Sequence, residues 1–466
     1  MSVAEKRSPP IRTAVMLCAG DGQRLRPVAN GKPKCLVGLL GLTLLERNLQ
    51  TLKEAGIEEV LLVVGYQGQA VEEAVEPLRD DGLTVRCLAN PHWRNGNGLS
   101  LMQARAAVRD EPRFLVLMAD HLFDPGTLRD FVAHVPDDAR SHLLVDFDPD
   151  AGVDEKDATH VCVAGDGQIC AIDKGLGGAQ GVDCGLFVFT QSIFPALEKS
   201  FAAGDYSVTA AARCLAQEHG LGSIRRQEGF WQDIDTPADY QNAQKKLLAA
   251  LASPGDGFIA HYLNRALSRP ITAWLCRTRV TPNQVTILSL LIGLAGALLF
   301  VLGQPLWAGL TVQLASIVDG VDGELARLKR DASAFGAFLD SLLDRYADGL
   351  IFLAMGYYAY TRSPGWAPLL LTAAALLGVP LSMVFKDRYR IAFGHSYTPQ
   401  THDGWFRYLL PNRDGRLFVA MLGGVTGWVL PALAFIALGS HLVFFRRLLF
   451  ARMQHLRRVR THAALR

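Results

Sequence analysis

Residues 319–348 read DGVDGELARLKRDASAFGAFLDSLLDRYAD, directly after a 39-residue run, Val280–Val318, that contains no Asp, Glu, Lys or Arg. A single membrane span needs about 20 apolar residues, so the run is long enough for two. A charged side chain inside a span costs at least about 2.5–3.5 kcal/mol. Asp319, Asp322, Asp340 and Asp344 therefore require a compensating partner at membrane depth. Asp319, Asp322, Gly323 and Ala326 stand at i, i+3, i+4 and i+7 and share one helix face, while Gly336, Asp340, Asp344 and Asp348 follow at i+4 steps on the next. Small residues on both faces let the helices approach closely. Two carboxylates from each helix would then make an oxygen-lined site suited to Mg²⁺ or Mn²⁺, and the absence of His and Cys in the stretch disfavours zinc. Two other readings are open to the residues alone. The aspartates could pair with Arg327, Lys329, Arg330 and Arg345 at helix ends, or they could serve an ion-coupled transporter.

Outward from this stretch, the 466 residues divide into unlike halves. Residues 1–245 read as a soluble α/β unit, 246–280 as a junction, 281–450 as membrane helices and 451–466 as a basic tail. In the junction Arg265, Arg269, Arg277 and Arg279 interleave with Leu263, Leu267, Ile271, Trp274 and Leu275. That pattern predicts an amphipathic helix on the membrane face, with a linker helix packed on the soluble unit as the plainer reading. Candidate spans are 283–303, 306–329, 334–361, 364–386, 411–428 and 429–448. Basic residues before the first span and in the tail (Arg446, Arg447, Arg452, Arg457, Arg458 and Arg460) place both flanks on the cytoplasmic side. The number of spans is then even, and six is the best count, which makes the chain a multi-pass membrane protein.

Lys and Arg total 47 against 45 Asp and Glu, a balance that argues against a nucleic-acid binder. The start, MSVAEKRSPP, has no apolar core, so no cleaved signal is expected. Eight Cys without a C-x-x-C pair fit a reducing compartment.

In the soluble half, Ile11–Leu17, Val60–Val64 and Phe114–Met118 are short apolar runs that predict buried strands, and Thr43–Gly56 has helical spacing. This alternation predicts a largely parallel sheet with helices on both faces. The first strand feeds Leu17-Cys-Ala-Gly20-Asp-Gly22-Gln-Arg24-Leu25-Arg-Pro27, followed by Lys32-Pro-Lys34-Cys-Leu36. Glycines let backbone N–H groups cradle phosphates, and Arg24 and Lys34 add fixed positive charge. The loop lacks G-K-[ST] and is neither a Walker A loop nor a G-x-G-x-x-G dinucleotide fingerprint.

Each half resembles a known family. The pattern Asp319-x2-Asp322-Gly323-x2-Ala326-Arg327-x8-Gly336-x3-Asp340-x3-Asp344 resembles the CDP-alcohol phosphotransferase signature with every position filled, and Thr281-Pro-Asn283 resembles the segment leading into that family's first span. The resemblance implies a six-span, usually homodimeric enzyme. Such an enzyme moves a phosphoryl-alcohol unit from a CDP-linked donor to an acceptor hydroxyl and releases CMP. Carried over, Asp319, Asp322 and Asp340 hold metal on the CDP pyrophosphate and Asp344 is the general base. Gly323 and Ala326 admit the cytidine, and Arg327 belongs to the substrate-binding positions. Arg388, Arg390, Arg413 and Arg416 are candidates to clamp an acceptor phosphate, with positive-inside anchoring the competing explanation.

The loop from Ala19, Gly20 and Gly22 through Arg24 to Pro33-Lys34 resembles the nucleotidyltransferase (pyrophosphorylase) motif, with Cys18 in place of that family's frequent Ala. Asp120 ends a strand, and Trp231-Gln-Asp233-Ile-Asp235-Thr-Pro resembles the second acidic motif. Asp120 and Asp235 are thereby implied as Mg²⁺ ligands, with no role assigned to Asp233. Asn90–Ser100, with Asn97 and Ser100, resembles the loop of cytidylyltransferases acting on phosphorylated alcohols, and Ile172-Asp173-Lys174 the position of a Lys that meets the acceptor phosphate.

The expected architecture is an α/β nucleotidyltransferase domain with a Rossmann-like mixed sheet, fused to an all-α six-span transmembrane domain. The fusion as a whole resembles bifunctional inositol-1-phosphate cytidylyltransferase/di-myo-inositol-phosphate-phosphate synthases. It implies that CTP and inositol 1-phosphate give CDP-inositol and pyrophosphate. CDP-inositol and a second inositol phosphate then give a phosphodiester and CMP. The same chemistry serves another phosphorylated polyol or a membrane lipid as acceptor. A nucleotide sensor on a transporter is the reading of another class.

Overall fold

The computed structural model describes residues 11–78, 82–150, 157–251, 257–404, 406 and 412–464, and side chains as far as 456 with 400 excepted. The tail residues Arg457, Arg458 and Arg460 lie outside the described side chains. The chain forms two compact units, Met1–Leu247 and Leu248–Arg466.

The first unit is built on a nine-stranded sheet. Its strands are β1 (Thr13–Cys18), β2 (Glu59–Val64), β3 (Thr84–Ala89), β4 (Arg113–Met118), β5 (Ser141–Asp146), β6 (Thr159–Val163), β7 (Ile169–Lys174), β8 (Gly181–Thr190) and β9 (Leu221–Arg225). The order is β7-β6-β8-β4-β1-β2-β3, with β5 on β8 and β9 on β5. β4, β1, β2 and β3 run parallel, and β8 joins β4 antiparallel. Parallel strands buried on both faces read as continuous apolar runs, which is why β1, β2 and β4 fall where the sequence predicts them. The helix Leu44–Glu54 starts at a capping box, the Glu46 N–H donating to Thr43 Oγ1 at 3.1 Å and the Glu46 carboxylate accepting from the Thr43 N–H at 2.6 Å. Side chains from the two sheet faces form two apolar cores, one around Met16 and Leu62, the other around Val116 and Phe187.

The second unit is helical. A π-helical turn, Ala260–Asn264, leads into α1 (Arg265–Leu275). Then come α2 (Pro282–Val301), α3 (Pro305–Leu328), α4 (Ala334–Arg362), α5 (Trp366–Phe393), α6 (Arg413–Thr426) and α7 (Val429–Ala464). α2 begins at Thr281, whose side chain accepts from the Gln284 N–H, with Pro282 in the first turn where its missing N–H costs nothing. α6 stops at Gly427, where φ is 78°. Close helix approaches rest on glycine: a Cβ on Gly424 would stand 2.4 Å from the Pro305 carbonyl and 2.9 Å from the Gly309 Cα.

Among the described residues, three helices are long and apolar enough to cross a membrane: Pro282–Val301, Trp366–Phe393 and Val429–Leu456. The six predicted spans are thus not matched one for one. α3 and α4 have the length but carry the acidic residues, and α6, at 14 residues, reaches only about 21 Å, short of the hydrocarbon thickness of about 30 Å.

The junction helix α1 is amphipathic in an inverted sense. Asn264, Arg265, Ser268 and Thr272 are buried, while Tyr262, Leu263, Leu267 and Trp274 are exposed. Arg265, expected on a basic surface, is turned inward instead.

Candidate active sites

In the first unit the glycine loop follows β1 and packs on Lys34. Gly22 has φ 59°, and a Cβ there would stand 2.8 Å from the Lys34 Cβ. Only glycine gives both the left-handed turn and the close approach. Lys34 is buried and donates to Asp120 Oδ2 at 2.6 Å and to Asp235 Oδ1. Burial alone would lower its pKa, but Asp120, Asp233 and Asp235 outweigh it and hold the ammonium well above the ordinary value. Arg24 donates to Asp157 and Asp235, and Lys174 reaches Asp157 at 2.5 Å. Gly20 is exposed beside the loop, and Ala19 is buried beneath it.

The placement of the acidic residues follows from one short ribbon. His121–Phe123, just beyond β4, pairs antiparallel with Trp231–Asp233, opposing His121 to Asp233. Ligand atoms of Asp120, His121 and Asp233 consequently lie within 4.8 Å of one another. Asp235 is two residues beyond and is taken up by Lys34 and Arg24, so the structure groups Asp233, rather than the expected Asp235, with Asp120. His121 was not singled out from sequence. Its ring sits against Gly185, where a Cβ would lie 2.5 Å from Nε2, and its Nδ1 is 2.9 Å from Asp120 Oδ1. Burial would depress its pKa, yet Asp233 and Asp120 push it up to about 9. Asp120 is held far below the carboxylate range: burial opposes this, but Lys34 and His121 prevail. Burial and the charges of Asp120 and Asp235 raise Asp233 to about 6, and its Oδ1 is buried with no hydrogen-bond partner.

These groups border a cavity of about 280 Å³ whose lining includes Arg24, Asn97, Lys174, Asp183, Asp233 and Asp235. Asn97 also accepts from the Val208 N–H at 2.9 Å. Ser100, expected at the substrate, is instead buried and accepts from Asn90 Nδ2 at 2.9 Å, away from the lining, because it sits on the inward face of the helix Asn97–Gln103.

In the second unit, α3 and α4 bring Asp319, Asp340 and Asp344 together, their carboxylate oxygens within 4.8 Å of one another. Asp322 accepts from Thr286 Oγ1 of α2 at 2.6 Å, and Ser289 Oγ stands 3.4 Å from Asp319. Arg413, at the start of α6, reaches Asp319 at 2.5 Å, Asp344 at 2.9 Å and Asp348 at 3.0 Å. Of the helix-end cations weighed from sequence, Arg345 stands 3.6 Å from Asp344, while Arg327 donates to the Leu251 carbonyl and Lys329 to the Thr278 and Val280 carbonyls.

The set suits a hard divalent cation. Its ligand atoms are all carboxylate oxygens, and Asp340 Oδ1 is buried without a hydrogen-bond partner. Beside it is a cavity of about 270 Å³ lined by Asp344, Arg345, Lys386, Asn412, Arg413 and Arg416 among others. Arg388 is exposed on α5 and absent from that lining. Gly323 and Ala326 lie on the half-buried side of α3. Glu324 escaped the sequence reading: it is fully buried and held by Arg265, Ser268 and Thr272.

An α/β sheet with a phosphate-type glycine loop, joined to helices that converge three aspartates, defines a nucleotidyltransferase linked to a CDP-alcohol phosphotransferase. Family models agree on both parts. Residues 14–280 match the MobA-like NTP transferase domain, and residues 279–404 match CDP-alcohol phosphatidyltransferase. The chain is 32% identical over 90% of its length to a bifunctional IPC transferase and DIPP synthase of Aquifex aeolicus, covering 93% of that protein. To the protein of the same name from Rubrobacter xylanophilus it is 36% identical over 92% of its length, again covering 93%. The inositol-1-phosphate CTP transferase of T. maritima is a structural neighbour, with 26% identity, a TM-score of 0.46, and coverage of 51% of this chain and 97% of that one. The chain belongs to the family of bifunctional IPC transferases and DIPP synthases.

Proposed function

We propose that the first unit condenses CTP with inositol 1-phosphate to CDP-inositol and pyrophosphate. The second unit then transfers the phosphoinositol group from CDP-inositol to another inositol phosphate, releasing CMP. The observation that carries this is the pairing, in one chain, of a glycine loop backed by Lys34 with an all-carboxylate cluster beside a cationic cavity. The relatives' printed names, IPC transferase and DIPP synthase, supply the two activities.

In the first unit, Arg24 and Lys34 face the triphosphate, with Gly20, Gly22 and Ala19 admitting it to the backbone. Lys174 and Asn97 border the space for the phosphorylated polyol, whose phosphate attacks the α-phosphorus. Asp120 and Asp233 would hold a divalent ion, with Asp235 orienting Lys34 and Arg24. In the second unit, Asp319, Asp322 and Asp340 would hold divalent ions, and Gly323, Ala326 and Arg327 would border the cytidine. Bound Mg²⁺ or Mn²⁺ would neutralise phosphate charge as the pyrophosphate bond breaks. Arg345, Lys386, Arg413 and Arg416 would fix the acceptor phosphate in the 270 Å³ cavity, leaving its hydroxyl toward Asp344 as the base. Four cations around that cavity favour a phosphorylated polyol over a neutral lipid hydroxyl.

The same reading places six helices in the bilayer. α3 and α4 are sheltered there by their paired acids, both basic flanks lie on the cytoplasmic side, and the chain is a homodimer through its membrane unit. Membranes carrying the full chain, given labelled inositol 1-phosphate and CTP, should form a label-bearing diester that stays in the aqueous phase. Label in the organic phase would instead make the acceptor a lipid.

A further inference from the structure

The back of α3 carries a row of polar side chains that the proposed chemistry does not use. Gln313, Ser316, Gly320 and Glu324 stand at i, i+3, i+7 and i+11 and share one face. By helical geometry that face points away from the face bearing Asp319 and Asp322. The buried side of α1 is bonded to the row residue by residue. Asn264 Nδ2 donates to Ser316 Oγ at 3.0 Å and Asn264 Oδ1 accepts from Gln313 Nε2 at 2.8 Å. Arg265 Nη1 donates to the Gly320 carbonyl at 3.1 Å and to Glu324 Oε1 at 2.8 Å. Ser268 Oγ donates to Glu324 Oε1 at 2.8 Å, and Thr272 Oγ1 to Glu324 Oε2 at 2.5 Å. Glu324, Ser268 and Thr272 are each 0% exposed, so the lock holds the carboxylate away from solvent.

A buried ion pair is weak evidence for stability, because desolvation offsets its attraction, but it specifies one register strongly. A one-residue shift of α3 would strand Glu324 and Arg265 together. The π-helical turn ahead of α1 also touches α6: Asn264 Nδ2 is 3.5 Å from Asp414 Oδ1, adjacent to Arg413.

We propose that Glu324, locked by Arg265, Ser268 and Thr272, is a positioning residue. It sets the rotation and depth of α3 and so presents Asp319 and Asp322 to the divalent ions. The inference rests on the metal-dependent CMP-releasing reading of this site. It assigns the juxtamembrane helix a part in that chemistry beyond its seat at the membrane.

The test uses the full chain in detergent and follows Mn²⁺ binding by electron paramagnetic resonance beside the kinetics of CMP release from CDP-inositol. The relevant Mn²⁺ population is the one that disappears in Asp340→Asn. Glu324→Gln keeps the shape and removes the charge. It should weaken that population about tenfold and lower kcat about tenfold, with KM for CDP-inositol within twofold and pyrophosphate release unchanged. The double variant Ser268→Ala/Thr272→Val keeps the ion pair and removes two donors. It should weaken Mn²⁺ about threefold, and it carries the test alone if Glu324→Gln does not fold. Variants that unfold at lower temperature yet keep the wild-type Mn²⁺ affinity and kcat would reduce the lock to a structural tie and overturn the proposal. A wild-type chain with no Asp340-dependent Mn²⁺ population and no CMP release would overturn the reading of the site itself.

Discussion

Arg413→Met removes one buried cation from between three carboxylates. Arg413 lies 2.5 Å from Asp319, 2.9 Å from Asp344 and 3.0 Å from Asp348, while the further arginines stand at longer range, Arg345 at 3.6 Å from Asp344 and Arg416 at 3.5 Å from Asp348. At an effective dielectric constant of about 20, unit charges about 4 Å apart attract by about 4 kcal/mol. Breaking a buried pair by deleting one partner costs about 3–5 kcal/mol, because the charge left behind is uncompensated. At about 2–4 °C per kcal/mol for a unit of this size, the unfolding midpoint should fall by about 6–20 °C in EDTA. A divalent ion then replaces the lost charge. Free Mg²⁺ at 100 times its dissociation constant adds about 2.7 kcal/mol to any state that binds it. On the proposed reading, the ion in the wild type competes with the guanidinium for Asp319. The Mg²⁺-dependent rise in midpoint should therefore be several degrees larger in Arg413→Met than in the wild type. Thermal unfolding of the full chain in detergent, with EDTA or with Mg²⁺, reads both quantities. Equal midpoints in EDTA, or an equal Mg²⁺ effect on both proteins, would refute the argument that Arg413 and the metal neutralise the same carboxylates.

Asp344→Asn keeps an oxygen acceptor for Arg413 but removes the proton acceptor. CMP release should drop about 10²–10⁴-fold while CTP-dependent pyrophosphate release is unchanged, as a coupled phosphate assay would record. Asp233→Asn should raise the Mg²⁺ concentration needed for pyrophosphate release far more than Asp235→Asn does, since only Asp233 groups with Asp120. Asp183 supplies a pH test. Burial raises its pKa to about 6 against the Gly185 N–H bond that lowers it. A carboxyl raised on folding favours the fold below its unfolded pKa of about 3.9, and that contribution is lost as pH climbs through 6. Asp183→Asn should accordingly stabilise the first unit by about 2–3 kcal/mol at pH 8 and not at pH 4, measured by calorimetry of the full chain.

The strands β1, β2 and β4 were legible because strands buried on both faces are simple apolar runs. The helix at Leu44–Glu54 was legible because Thr43 and Glu46 spell its start. The convergence of Asp319, Asp340 and Asp344 could be read because i+3 and i+4 spacing is a local rule that needs only two adjacent helices. What escaped depended on contacts distant in sequence. Asp233 rather than Asp235 joins Asp120 because of the ribbon register opposing His121 to Asp233, and no spacing within Trp231–Thr236 reveals that register. Glu324, after a glycine and before an arginine-rich turn, looks like a surface residue until the buried face of α1 is seen to carry Arg265, Ser268 and Thr272. Ser100 sits in the right segment but on its inward side, a matter of helix rotation that the loop's polarity concealed. The span count exceeded the helices apolar enough to qualify because α3 and α4 bury acids and α6 is short.

On the proposed reading, the carboxylates of α3 and α4 hold the ions for phosphodiester exchange on a CDP-linked donor. Mass spectrometry of the full chain incubated with CDP-inositol, inositol 1-phosphate and Mg²⁺ tests it most directly. CMP and a water-soluble inositol phosphodiester should form in equal amounts, and both should be lost in Asp340→Asn. Equal yields from the Asp340→Asn chain, or CDP-inositol recovered intact from the wild type, would contradict it.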